Sequence, residues 1–127
     1  MSSILLIDDD PIIRKMGQSY FTAKGHSVMV AKDGREGLSH FKRHNFDLVI
    51  TDLMMPDVHG FMVIDAVKGS SKGATTPVIL LTADIKEPEL QSYERKAFAD
   101  EHVAKPFDIP TLGEKVNALL AEFGDRV

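Results

Sequence analysis

Cysteine is absent from the 127 residues, which excludes a disulfide framework, a thiolate nucleophile and any cysteine-ligated zinc or iron–sulfur centre. A chain of this length buries about two thirds of the surface its unfolded form exposes, and folds without such staples. Long apolar runs are missing too. Uninterrupted stretches such as 4–7 and 78–81 hold only four residues, far short of the roughly 20 that a membrane helix needs. Basic excess is also lacking: 15 Lys plus Arg stand against 19 Asp plus Glu, a net charge of −4. The basic residues are scattered, so no direct nucleic-acid surface is expected. Met-Ser-Ser runs straight into a strand-like segment without the basic and apolar regions of a secretion signal, which makes the cytoplasm the expected compartment. What is present, 43% hydrophobic and 27% charged residues, is the balance of one soluble globular domain over 1–127.

Short β-branched or aliphatic runs alternate with longer segments of helical period, the pattern of an α/β fold whose parallel sheet is wrapped by helices. Five strands are predicted, at 4–7, 28–31, 48–51, 78–81 and 102–104. The first helix starts at Pro11, capped by Asp10 and ended by Gly25, with Ile12, Ile13, Met16, Tyr20 and Phe21 as its apolar stripe. Asp33-Gly34 reads as a turn before a helix over 36–44. Further helices are expected over 61–67, 87–97 and 109–123, the last with Leu112, Val116, Leu119, Leu120 and Phe123 as its core stripe. Residues 54–60 read as a loop punctuated by Pro56 and Gly60. His26, His40, His44 and His59 read as solvated loop or helix residues.

Asp8, Asp9, Asp52, Thr82 and Lys105 all fall at the carboxyl ends of predicted strands. Ligands of open α/β sheets bind outside those ends, so one crevice should gather a carboxylate cluster, a hydroxyl and an ammonium. Three carboxylates packed together repel and call for a cation. Oxygen ligands without His or Cys favour Mg²⁺, and Lys105 can serve as the point charge for a phosphate. Phosphoryl transfer with a carboxylate nucleophile fits that set. Each residue has an ordinary alternative as a turn, cap or surface side chain, but those alternatives would have to hold at four strand ends at once.

The segments ILLIDDDPIIR, DLVITDLMMPDVHG, VILLTA and HVAKPFD, in this order and spacing, resemble the receiver domains of two-component response regulators, of the single-domain, chemotaxis-regulator-like type. AKDGREGL also looks like that family's entry to its second helix. The resemblance implies a flavodoxin-like, doubly wound sheet of order 2-1-3-4-5 with five helices. It implies that Asp52 accepts a phosphoryl group from a sensor histidine kinase or a histidine phosphotransfer protein. Asp8, Asp9, Asp52 and the backbone carbonyl of Met54 would hold Mg²⁺; Thr82, the Ala83 N–H and Lys105 would bind the phosphoryl group. The Lys105-Pro106 bond is expected to be cis. Thr82 and His102 would form the switch pair, His102 standing where the family has Tyr or Phe.

The same resemblance implies a signalling switch rather than a turnover enzyme, with output to a downstream protein through the face of the fourth helix, fifth strand and fifth helix. A monomer or a phosphorylation-dependent dimer is expected. Phe98, where the family usually has Gly, should alter the turn before the fifth strand. Met54 and Asp84, two positions after Asp52 and Thr82, should tune water access. A phosphatase of the haloacid dehalogenase type fits less well, because it wants an acid where Met54 stands. A flavodoxin-like cofactor binder would prefer a Ser/Thr/Gly-rich nest to the acidic first loop.

Overall fold

The computed structural model describes residues 2–53, 55, 58, 60–82 and 99–124. Five strands, β1 (Ser3–Ile7), β2 (Ser27–Ala31), β3 (Leu48–Asp52), β4 (Val78–Thr82) and β5 (Glu101–Ala104), form one parallel sheet of order β2-β1-β3-β4-β5. The strands lie where their apolar runs predict, each within a residue at either end. β1, β3 and β4 are buried almost throughout, as central strands covered on both faces must be.

Alternation along those strands builds two apolar layers. Ile4, Leu6, Leu48, Ile50, Ile79, Leu81 and Val103 face α1 (Pro11–Ala23) and α4 (Ile109–Gly124), meeting Phe21, Leu112, Val116 and Leu119. Leu5, Ile7, Val49, Val78 and Leu80 face α2 (Gly34–Arg43) and α3 (Gly60–Lys68), meeting Phe41, Phe61, Val63, Ile64 and Val67. Four helices are thus present among the described residues; the helix expected over 87–97 lies outside them.

Three local expectations are corrected. Ile12 and Met16 do not line the core: they are 68% and 39% exposed. The buried face of α1 runs instead through Gly17 and Phe21, because Gly17 lets the helix settle onto the Leu6 side chain. Asp33 is a helix cap rather than part of a turn. Its carboxylate accepts from Glu36 N–H at 2.8 Å while Glu36 Oε1 accepts from Lys32 N–H at 3.3 Å, so α2 begins at Gly34. His26 is more than a solvated residue, since its Nδ1 accepts from Ser2 N–H at 3.2 Å and its ring packs near Phe21.

Gly60 opens α3 rather than closing a loop. Its N–H donates to the Leu53 carbonyl at 2.8 Å, and a Cβ there would stand 2.5 Å from the Asp52 carbonyl oxygen and 2.8 Å from Leu53 Cα. Both neighbours are backbone and cannot rotate away. Gly60→Ala is expected to cost about 2 kcal/mol, read as a lower midpoint of urea unfolding; an unchanged midpoint would mean that α3 slides freely off β3.

Candidate functional site

The winding of the chain reverses between β1 and β3, which opens a crevice at their carboxyl ends. Asp8 extends the ladder by one bond, its N–H donating to the Ala31 carbonyl at 3.1 Å. Its side chain is fully buried, and Oδ1 accepts from Asp10 N–H at 2.9 Å. That bond closes a turn, after which Asp10 caps α1 by accepting from Ile12 N–H at 2.8 Å. Pro11 takes the first helical position, where no N–H is needed. The turn leaves Asp9 exposed at the rim. Arg14, which sequence reasoning passed over, reaches back from α1 to donate Nη1–H to the Asp8 carbonyl at 2.8 Å.

Asp52 ends β3 and is 5% exposed. Lys105 follows β5, with its N–H on the Thr82 carbonyl; the Lys105-Pro106 bond is cis. Its ammonium lies 2.9 Å from Asp8 Oδ2 and 3.2 Å from Asp52 Oδ1. One carboxylate oxygen from each of Asp8, Asp9 and Asp52 falls within 4.8 Å of the others. The five residues read from the strand ends are thereby located: four surround one pocket, and Thr82 lies on the strand beside it.

Burial raises the Asp52 carboxyl to about 6, with the Asp8 charge pushing the same way and Lys105 opposing both. Asp8 is raised as well, first by burial, against the Asp10 N–H and Lys105. Burial pulls the Lys105 ammonium down, but bonding and attraction from Asp8 and Asp52 outweigh it and leave its pKa above the ordinary lysine value. One ammonium therefore does not satisfy this set of carboxylates. The donors that remain are hard oxygens, which suit a small divalent cation such as Mg²⁺.

Thr82 is 1% exposed, and its hydroxyl has no hydrogen-bond partner among the described residues. Strand register pairs Asp52 with Leu81 and Thr82 with Ala104, so the hydroxyl sits one strand over from Asp52. His102 pairs with Leu80. Alternation opposite to Val103 puts His102 on the same sheet face as Leu80 and Thr82. Met54, Ala83, Asp84 and Phe98 lie outside the described residues.

A doubly wound parallel sheet with an acidic pocket and a lysine at its switch point is the architecture of a receiver. The family model for the response regulator receiver domain matches residues 4–117, and the chain belongs to that family. It is similar to the response regulator RR06 of Streptococcus pneumoniae, 36% identical over 121 residues, which are 95% of this chain and 54% of that protein. The chain spans about half the length of the curated relatives it matches. Among solved structures it resembles the chemotaxis response regulator CheY4 of Vibrio cholerae (32% identical, TM-score 0.86, covering 94% of this chain and 98% of that one). It also resembles the response regulator TrrA of Thermotoga maritima in complex with Mg²⁺-BeF (35%, TM-score 0.78, 94% and 99%). No described helix is long and apolar enough to cross a membrane.

Because folded Asp52 holds its proton more tightly than the unfolded chain does, stability falls as pH rises from about 4 through about 6. Asp52→Asn removes that loss. In EDTA its melting temperature is expected to exceed wild type by roughly 5 °C near neutral pH and by little near the bottom of that window. Calorimetry at both ends checks this; a variant less stable than wild type at neutral pH would mean that Lys105 fully offsets the buried carboxylates.

Proposed function

We propose that this receiver is a phosphorylation-controlled signalling switch, taking a phosphoryl group onto Asp52 from the phosphohistidine of a sensor kinase or a histidine phosphotransfer protein. The observation that carries the reading is the convergence of Asp8, Asp9 and Asp52 on one another, with the Lys105 ammonium bridging the buried pair. Membership of the receiver family and the Mg²⁺-BeF complex of the Thermotoga relative support it.

Asp8, Asp9, Asp52 and the Met54 carbonyl would hold Mg²⁺, which when bound neutralises charge on the carboxylates and on the transferring oxygens. A carboxylate oxygen of Asp52 attacks phosphorus in line with the departing imidazole nitrogen. The P–N bond breaks, a P–O bond forms, and an acyl phosphate remains on the protein. Lys105 holds Asp52 before transfer and stabilises the added charge afterwards. Thr82, whose buried hydroxyl lacks a partner among the described residues, donates to a phosphoryl oxygen, as would the Ala83 N–H.

Moving the Thr82 side chain changes the space beside His102 on the same sheet face, and the change is read by a downstream protein at β5, the closing helix and the expected helix between β4 and β5. Residues 1–127 act as one receiver domain, as a monomer or a phosphorylation-dependent dimer. The chemistry is one self-modification and its slow reversal, not turnover of a substrate: Met54 stands where an aspartyl phosphatase carries its second acid.

Intact-mass spectrometry after incubation with a small-molecule phosphodonor tests the reading. Wild type with Mg²⁺ should gain one phosphoryl group and lose it slowly. EDTA or Asp52→Asn should abolish the gain, and Lys105→Met should slow it by roughly 100-fold, the scale of losing a preorganised charge contact. Equal gain in Asp52→Asn would overturn the assignment, and continuous release of many phosphate equivalents would point to a phosphatase.

A further inference from the structure

Arg14 is in the wrong place for a surface arginine. It lies in the first turn and a half of α1, which has no acidic residue in its first turn, and a cation near a helix N-terminus is disfavoured by the helix dipole. It is half-buried and directed inward. Its backbone N–H makes the first helical bond, to the Asp10 carbonyl at 3.1 Å, while Nη1–H reaches back past the turn to the Asp8 carbonyl at 2.8 Å.

That carbonyl is a control point. Asp8 is already tied down at three atoms, its N–H on Ala31, its Oδ1 under Asp10 N–H and its Oδ2 beside the Lys105 ammonium. The carbonyl belongs to the Asp8–Asp9 peptide, and a peptide is planar. Fixing its oxygen therefore fixes the plane from which the Asp9 Cα departs. Asp9 is exposed at the rim, so its direction depends on the backbone that carries it.

We propose that Arg14 is a positioning residue for the divalent-cation site, holding the Asp8–Asp9 peptide plane so that the exposed Asp9 carboxylate converges with buried Asp8 and Asp52. The proposal rests on the receiver reading above. It assigns Arg14 no contact with the ion or the phosphoryl group; the effect runs through the Asp8 carbonyl.

The sign of one measurement separates this role from simple electrostatics. Removing a cation beside an acidic pocket lowers repulsion of an incoming dication, so charge alone predicts tighter Mg²⁺ binding for Arg14→Met. Loss of positioning predicts weaker binding, by about tenfold, the low end for partners that orient metal ligands without touching the metal.

The test is isothermal titration of Mg²⁺ into the metal-free full chain at fixed ionic strength, with melting temperatures to confirm folding. Arg14→Met is expected to raise the dissociation constant about tenfold. Lys15→Met, which removes the same charge from an exposed neighbour on α1, should leave it unchanged or slightly lower. Arg14→Lys keeps the charge but not the planar fork and should raise it about threefold, which preserves the test if Arg14→Met fails to fold. At saturating Mg²⁺ the phosphorylation rate of either Arg14 variant should return to within about threefold of wild type, the split expected of a group that acts on binding rather than on the transition state. A dissociation constant at or below wild type in the folded Arg14 variants overturns the proposal and leaves the receiver reading intact. A wild type that binds no Mg²⁺ sinks both.

Discussion

The Lys105 ammonium ties together the carboxyl ends of three strands that are not all neighbours. It is carried by the residue after β5, yet lies 2.9 Å from the carboxylate after β1 and 3.2 Å from the one ending β3. Burying a carboxylate costs several kcal/mol unless a counter-charge and hydrogen bonds meet it, and here two are buried side by side. Without Lys105 the pocket would hold a concentrated negative charge in a poorly solvated crevice. With it, Asp52 still stands at about 6. The site is thus stable enough to exist and too negative to be at rest, which is the condition a cation-dependent acceptor needs.

That tension is tolerable because the platform beneath it is stiff. β1, β3 and β4 are packed on both faces, and the residues just below the site, Ile7, Ile50 and Leu81, are fully buried. Each fully buried aliphatic side chain contributes about 2 kcal/mol. Two glycines bring helices close under the site: Gly60 lets α3 start against the end of β3, and Gly37 lets α2 lie on Ile7. Charge repulsion at the strand ends consequently appears as shifted proton affinity rather than as splayed strands.

Much of this was legible in the sequence, for physical reasons that differ from place to place. Central strands announce themselves because burial on both faces demands unbroken apolar runs, and the site follows because polar residues stand where those runs stop. Asp10-Pro11 marks a helix start through local chemistry alone. The strand order has no such local signature and came with the resemblance. The stripe on α1 was misjudged at Ile12 and Met16, since a helix next to a glycine can bury its smallest face rather than its most apolar one. Asp33 looked like a turn because Asp-Gly serves turns and caps equally; the bond its carboxylate accepts from Glu36 N–H decides it. Arg14 escaped notice because its partner is a backbone carbonyl, which no side-chain pattern encodes, and the one available signal was a cation at the wrong end of a helix.

Formal charge connects the pocket to the proposed switch. Three carboxylates and one ammonium leave the pocket at about −2, and a divalent cation brings it near zero. Replacing the Asp52 carboxylate by an acyl phosphate, a group of about two negative charges, makes it negative again by about one. In that proposed switch the ion and Lys105 would already be engaged, so the new charge would draw on neutral donors nearby. Thr82 is such a donor, buried, one strand from Asp52, with its hydroxyl unpaired among the described residues. A buried hydroxyl without a partner costs about 1–3 kcal/mol, so turning toward a phosphoryl oxygen would both relieve that cost and answer the added charge. The space it would leave lies on the sheet face shared with His102, beside the edge strand, where a change in packing reaches the surface directly.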